Sequence, residues 1–424
     1  MLSALIDPIT TLGTMLRSLF SDDLSAGQML VNHQTGLWRT ASRLTDISLV
    51  MFLVVATVSI SLMQAAYIVA IFFWFLQLYL NPQRLYLPLL IPICGFICAS
   101  LLATLTATAP LSSLVECRNL LEWVVFYLVL NTLRSEARAT LLVRLLIAAG
   151  TVMACYGLWQ VLTYGPTFRI AGTSSYMTFG GQLMLLCILA LSQLLFHSPS
   201  RHWFWLVPAF VILLIALVGT QTRNAWLGFL IACPILLILR HRAFLLGLPL
   251  LCVIAFMLAP PAVQDRIRSF GNLQDITVQQ RFFMWRSGLE MTRDHPWTGV
   301  GMGVMREMER RYRAPDAPFV PERRLSHLHN NIVQIAAELG LIGLIAWATI
   351  WVAFLWRGWR VYRQLGSPEG RDKALIVGSL TCVIGFLVAG LFEYNFGDSE
   401  IVSILYFIMA LPFLVRSSES IVSA

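Results

Sequence analysis

Charge is what this chain has least of. Only 12% of its 424 residues are charged, about half the ~25% of a soluble globular domain. Hydrophobic residues make up 58% and the mean hydropathy is +0.73. That deficit excludes a water-soluble enzyme. Lysine is nearly missing: Lys373 is the single lysine among 30 basic residues, so the formal net charge of +8 is carried by arginine. The distinction matters because a guanidinium grips phosphate oxygens in pairs and an ammonium does not. Spaced cysteines are missing too. No CxxC pair occurs, and Cys94, Cys98, Cys155, Cys187, Cys233, Cys252 and Cys382 lie in apolar runs, where cysteine packs as a small hydrophobe. A disulfide framework and a cysteine zinc site are thereby excluded. There is no internal repeat or low-complexity tract, and no cleavable signal peptide is expected at the N-terminus.

What the chain does have is apolar runs. A hydrocarbon core about 30 Å thick takes roughly 20 apolar residues per crossing, so there is material for about a dozen. The runs fall at 47–63, 65–80, 85–106, 118–133, 141–162, 176–196, 203–219, 224–239, 243–259, 329–356, 374–394 and 400–415. The expected architecture is an all-α polytopic membrane protein of about 12 transmembrane helices. Residues 1–46 form a cytoplasmic or interfacial segment, 47–259 hold spans one to nine, 260–328 form one long loop, and 329–424 hold spans ten to twelve. Leu2, Leu5, Ile6, Ile9, Leu12, Leu16, Leu19 and Phe20 recur at helical spacing. Residues 1–20 therefore read either as a helix lying along the membrane surface or as a loosely ordered tail. With the N-terminus inside, sixteen basic residues fall in inner segments and only Arg118, Arg169 and Arg223 in short outer loops. That asymmetry obeys the positive-inside rule. Both termini are then cytoplasmic.

The other eleven basic residues lie in 260–328, a segment too long for the charge rule to govern, so it is placed outside. Residues 276–294 read as an amphipathic helix, with Phe282, Phe283, Leu289 and Met291 among Arg281, Arg286 and Arg293. His295-Pro296 ends it, because the residue before proline leaves the helical region. Pro315, Pro318 and Pro321 mark an extended stretch.

Several polar groups share the outer side. Thr220-Gln221-Thr222-Arg223-Asn224 occupies a tight turn between spans seven and eight, where an arginine is a fixed cation at the membrane surface. Arg281, with Arg286 near it, sits on the loop helix. Taken alone, each arginine reads equally as an interfacial side chain snorkelling to headgroups. Ser326-His327-Leu328-His329-Asn330-Asn331 stands where the tenth span enters the bilayer. Ser326 or Asn330 is suited to cap that helix, and polar groups at such depth ask for a reason. The HxH pair could suggest metal ligation, but no acid or cysteine lies close in sequence, so no metal is expected. Gly299-Val300-Gly301-Met302-Gly303 follows no strand, which excludes a dinucleotide fold; a flexible connector or an anion-facing turn remains. Glu393, Asp398 and Glu400 flank the last outer turn, as functional groups or as partners for the arginines.

On these residues the chain resembles the O-antigen ligase and polymerase superfamily of bacterial envelope enzymes. The ligase pattern is His, then Asn, Ser or Gln, nine residues, Gly, two residues, Gly; here it is filled by His329, Asn330, Gly340 and Gly343. Thr220-Gln221-Thr222-Arg223, and Arg281 ahead of His295-Pro296-Trp297-Thr298-Gly299-Val300-Gly301, support it, as does the long loop after span nine. The resemblance implies a membrane glycosyltransferase of the GT-C type in a Gram-negative inner membrane, with its active site facing the periplasm. It implies an inverting transfer of a glycan from undecaprenyl diphosphate to a hydroxyl of lipid A–core, without metal, nucleotide or other cofactor. The partners are that donor and acceptor and the membrane lipids; nothing points to nucleic acid. His329 is the expected base, and Arg223 and Arg281 the diphosphate ligands. Gln221, Arg286, His327, Asn330 and Glu393 are candidate substrate-binding groups, though His327 and Asn330 read equally as structural.

A polymerase would use the same donor with a growing chain as acceptor, and a protein O-oligosaccharyltransferase would use a protein hydroxyl. A single long loop favours the ligase. A bicarbonate-type transporter should instead show broken midplane helices and inverted repeats. Here Glu122 and Glu338 are the conspicuous acids within spans, and the polar groups gather at one face.

Overall fold

The computed structural model describes residues 36–133, 135–197, 202–317, 326–365 and 370–422. The helix expected over 1–20, and Pro318 and Pro321, lie outside the described residues. Among the described residues there are helices and no strand. In chain order they are α1 (Gly36–Val55), α2 (Ile60–Leu80), α3 (Leu90–Leu105), α4 (Pro110–Glu116), α5 (Trp123–Thr132), α6 (Glu136–Tyr164), α7 (Tyr176–Phe196) and α8 (Trp203–Gly219). Then come α9 (Arg223–Arg240), α10 (Leu248–Leu258), α11 (Pro261–Arg268), α12 (Ile276–Asp294), α13 (Met305–Tyr312), α14 (Asn331–Gln364), α15 (Arg371–Ala389) and α16 (Ser399–Val422).

Six of these, α2, α6, α7, α9, α14 and α15, are long and apolar enough to cross a membrane, and four further apolar helices are shorter. The chain is thus a helical protein of polytopic membrane character. Several expected boundaries move. The first two apolar runs divide at Ala56–Ser59 rather than near residue 64, because the Ser59 hydroxyl accepts the Leu62 amide and starts α2 there. The run at 118–133 becomes a 3₁₀ turn (Cys117–Glu122) followed by the ten-residue α5. The run at 243–259 likewise enters through a 3₁₀ turn, and α10 buries none of its side chains against the protein. The loop helix expected at 276–294 is present as α12.

Three helices make the centre: α7, α15 and α16, the last buried throughout residues 401–415. α7 is buried almost along its whole length, and α15 nearly so. α9 crosses α15 so closely that a Cβ on Gly228 would lie 2.6 Å from the Gly385 carbonyl oxygen. Without water between them, helices in a membrane gain their association from such close backbone approach. The crossing fixes the start of α9, with Arg223, against the end of α15, beyond which lies Glu393.

α14 is not one continuous helix. Gly340 has φ 65° and ψ −168°, outside the helical region. The backbone groups freed by this break are taken up by residues 296–301. The amides of Val300 and Gly301 donate to the carbonyls of Ala337 (2.9 Å) and Glu338 (3.0 Å), and those of Leu341 and Ile342 donate to Pro296 (2.7 Å) and Trp297 (3.3 Å). Gly303 adds an amide bond to the Glu338 carboxylate at 3.0 Å. On its other side the strap is held by Thr106, Thr108 and Ser113. The glycine-rich run is therefore neither a flexible connector nor an anion-facing turn: it splints a broken helix. A broken helix is one of the marks expected of a transporter, but here protein fills the break. The acid pair expected as conspicuous is also tied down, Glu338 by Gly303 and Glu122 by the Ser399 hydroxyl. Both line a cavity of about 40 Å³ with Asn119 and Tyr394, room for a water or two.

A Cβ at position 340 would lie 2.3 Å from the Trp297 carbonyl carbon, on a backbone that L-residues avoid. Gly340→Ala is expected to lower the unfolding temperature in detergent by several degrees, the strain alone costing about 1–3 kcal/mol. Gly95→Ala, which meets nothing within 4 Å, should leave it unchanged. Intrinsic tryptophan fluorescence during a thermal ramp reads both.

Candidate functional site

The expected polar groups converge at one end of the bundle. The turn between α8 and α9 is made by Thr220, whose hydroxyl bonds the Leu217 carbonyl at 2.7 Å, and by Gln221 in a left-handed conformation, φ 52°. The Thr222 hydroxyl ties the turn to the Tyr176 carbonyl at the head of α7 (2.9 Å). What Gln221 offers here is its backbone carbonyl. Arg169 Nη2 donates to it at 3.0 Å and Arg266 Nε at 3.4 Å, while Arg169 Nε holds the neighbouring Thr220 carbonyl at 3.1 Å. Arg169 also lies over the Tyr176 ring, 3.4 Å from its centroid, a favourable cation–π placement.

Arg223 opens α9. Its Nη2 donates to Asp275 (2.9 Å) and to the Ser269 hydroxyl (2.7 Å), and its Nη1 to the Ser269 carbonyl (3.2 Å). Asp275 does two things at once. One carboxylate oxygen takes Arg223; the other caps α12 by accepting the Thr277 amide (2.9 Å) and hydroxyl (2.7 Å). Partial burial pushes the Asp275 carboxyl up, but the Thr277 bonds and the Arg223 guanidinium outweigh it and bring it down to about 2. One carboxylate thus sets Arg223 against the helix that carries Arg281.

Arg281 reaches from α12 to Glu393, 3.7 Å from Nη2 to Oε2. Glu393, in the turn after α15, is the hub of the site. It is 6% exposed and lies 2.9 Å from His329 Nδ1 and 2.9 Å from His327 Nε2. The Tyr394 amide adds a bond at 3.3 Å. Burial acts to raise the Glu393 carboxyl, but the hydrogen bonds and charges of the two histidines overcome it and hold it well below the usual carboxylate range. For His329 burial dominates, holding the imidazole below its usual value although Glu393 pulls the other way. An ionised carboxylate beside a neutral imidazole assigns the hydrogen to Nδ1, which donates to Glu393 and leaves the Nε2 lone pair outward. His327 donates from Nε2 and accepts the Ser326 hydroxyl at Nδ1 (3.0 Å). His329 sits at φ 51°, so two of the three left-handed non-glycine residues among those described are site candidates. Such conformations gather where function demands a fixed direction.

Asn330 is the cap of α14. Its Oδ1 accepts the amides of Ile332 (2.8 Å) and Val333 (3.0 Å), and its Nδ2 ties the Leu391 carbonyl (2.9 Å). Both ends of the amide are occupied by the fold. α14 starts at Asn331, so both histidines precede the helix rather than begin it. Arg286 stands apart. It points outward, 60% exposed, and pairs with Glu290 one turn along α12 at 3.3 Å. Arg169 and Arg266 stand with Arg223 and Arg281 instead, each feeling the charge of others in the group. Among the described residues four guanidiniums face two carboxylates, Asp275 and Glu393. The excess has the sign a diphosphate requires.

The donor atoms of His327, His329 and Glu393 lie within 4.8 Å of one another, so these three could hold a cation. The sequence showed the HxH pair but no acid near it; the acid comes from 64 residues further on. Arg281 bears on the same carboxylate, and a guanidinium repels a divalent ion at such range. The positive charge of this site is supplied by arginine.

Residues 208–348 match the family model described as O-antigen ligase. That stretch contains Arg223, Arg281, His327, His329 and Asn330 and stops short of Glu393. A Rickettsia conorii protein provisionally named a polysaccharide ligase is 25% identical over 222 residues, 49% of each chain. The chain thus spans about half the length of the curated relative it matches. Together these findings support an O-antigen ligase-like superfamily member.

Sequence reasoning missed Asp275, Arg266 and Arg169 as parts of the site. Asp275 was visible as an acid immediately before an amphipathic helix, the usual cap signature. Asp275→Ala is expected to lower stability by about 2 kcal/mol, combining a lost cap with a lost ion pair, whereas Arg286→Ala stays within about 0.5 kcal/mol. Because the Asp275 carboxyl is depressed on folding, its contribution is whole above the ordinary aspartate range and fades as pH falls toward about 2. Thermal unfolding at several pH values measures all three.

Proposed function

We propose that the protein is an inverting glycosyltransferase of the ligase type. It moves an O-antigen or similar glycan from undecaprenyl diphosphate to a hydroxyl of lipid A–core, at the periplasmic face of a Gram-negative inner membrane. Both termini then lie in the cytoplasm, and neither nucleotide nor metal takes part. The observation that carries this reading is the His329–Glu393–Arg281 arrangement: a neutral imidazole oriented by a buried carboxylate, beside a guanidinium whose one ion pair among the described residues is 3.7 Å long.

The periplasm supplies no nucleotides, so a donor must carry its own activation, and a glycosyl diphosphate does. His329 Nε2 takes the proton of the acceptor hydroxyl as its oxygen attacks the anomeric carbon, opposite the leaving group. The bond from that carbon to the diphosphate oxygen breaks, and the diphosphate departs as an anion. Arg281 and Arg223 meet the charge that grows on it, each charge-assisted contact contributing about 1.5–3 kcal/mol. A placed base contributes about 10²–10⁴ in rate. Glu393 fixes the tautomer and stabilises the imidazolium that forms, the role of the carboxylate in a hydrolase triad. Arg266 and Arg169 hold the Gln221 turn, and with it the start of α9.

Four outcomes test the reading. His329→Ala abolishes glycan transfer while the protein stays in the membrane; near-normal transfer removes it as the base. Arg223→Lys loses most activity though the charge is kept, because lysine lacks the fork. The base form of His329 exists above its pKa, which burial lowers, so kcat falls only on the acid side of the ordinary histidine range. Chelator treatment leaves transfer intact. Deleting the gene in its host and running the envelope polysaccharide on a gel separates the relatives. Loss of high-molecular-weight lipopolysaccharide with lipid-linked polymer accumulating marks a ligase; surviving single-repeat lipopolysaccharide marks a polymerase.

A further inference from the structure

At the opposite end of the bundle lies a second group of basic side chains with no part in the chemistry above. Arg144 is set two turns into α6, only 9% exposed, and its Nε is sealed from solvent without a hydrogen-bond partner. His197 follows the last residue of α7, and its Nδ1 is likewise sealed and unpartnered. The start of α15 is laid against the end of α7: the Gly370 amide donates to the Phe196 carbonyl at 2.8 Å, and the Ser192 hydroxyl to the Ala374 carbonyl at 2.7 Å. That contact brings Arg371, exposed and first in α15, to the same place. His202, just before α8, completes the group.

The charges of Arg144, Arg371 and His202 all bear on His197, and that of Arg371 bears on Arg144. Burial first, and then these cations, hold the His197 imidazole below its usual value. Among the described residues no acid acts on either. The described acids closest to the group in sequence, Glu136 and Asp372, have interactions of their own. A buried guanidinium without a counter-charge costs several kcal/mol, so the fold leaves room for an anion from outside the chain. α6, α7 and α15 are all long and apolar enough to cross a membrane, and the group lies toward the ends they share, which such a crossing would bring to headgroup depth. Basic pockets between helices at that depth take lipid phosphates.

We propose that Arg144, His197 and Arg371 form a phosphate-binding site filled by the headgroup of an anionic phospholipid. A free phosphate has the same chemistry, and the two sources are separable. The bound headgroup joins α6, α7 and α15 at the end remote from His329, and so steadies α7 and α15, whose other ends carry Tyr176 and lead to Glu393.

The test uses the whole protein in neutral maltoside micelles. Dioleoyl phosphatidylglycerol, dioleoyl phosphatidylcholine and inorganic phosphate are titrated separately, and the unfolding temperature is read by tryptophan fluorescence. Phosphatidylglycerol alone should give a saturable rise. Arg371→Gln, an exposed change that spares the fold, should weaken the apparent affinity about tenfold, one charge-assisted contact being lost; His197→Gln should weaken it as well. Arg281→Gln, at the other end, should keep the full rise. An equal rise with phosphatidylcholine overturns the proposal. So does an unchanged affinity in both Arg371→Gln and His197→Gln, or a rise lost in Arg281→Gln instead. An equal rise with inorganic phosphate assigns the site to the free ion and overturns the lipid.

Discussion

A buried anion organises this end of the molecule. Withdrawing a carboxylate from water costs several kcal/mol unless donors replace the lost hydration. Glu393 receives them from both histidines and from its neighbour's amide, with Arg281 beyond. These donors come from three parts of the chain. The carboxylate therefore decides where α12, the residues before α14 and the turn after α15 sit relative to one another. Asn330 and Asn331 make that decision rigid. Asn331 reaches Asn395 at 2.7 Å and accepts the Phe396 amide at 3.2 Å, so the turn bearing Glu393 is strapped to the same short stretch as His329.

Around this hub the work is divided by geometry. Arginines with several short bonds, Arg169 and Arg223, hold backbone and loop in place. Arg281, whose one ion pair among the described residues is long, keeps its fork available. Asp275 links the two kinds, since it grips Arg223 and starts the helix of Arg281. In the proposed reaction a diphosphate would compete with Asp275 for Arg223, and a carboxylate that stays ionised far into acid is a partner that can release and recapture it without taking up a proton.

Much of this was legible in the residues. α8 matches the apolar run at 203–219, α7 that at 176–196, and α12 has the bounds its periodicity predicts. His329, Arg223 and Arg281 are brought to one end of the bundle as their shared side implied. What stayed hidden depended on distant contacts. Arg266 and Arg286 are both arginines in one basic segment, and only packing reveals that the first meets Gln221 and the second faces away. Hydropathy treats 329–356 as uniform and cannot see that Gly340 interrupts it, because the partner strap lies about 40 residues earlier. The third member of the possible cation set at the histidines was hidden for the same reason: that acid, Glu393, lies far along the chain.

The strap across α14 also bears on the order in which the molecule can be made. Residues 296–301 leave the ribosome before Gly340, so the splint already exists when the helix that needs it enters the bilayer. Glu393 comes later, with the turn that follows α15. Until it arrives the arginines face one another with too little counter-charge, and His329 has nothing to orient it. A chain halted before residue 393 would lack the carboxylate that His329 and Arg281 meet. Complete translation thus withholds the proposed chemistry until the last pieces are in place.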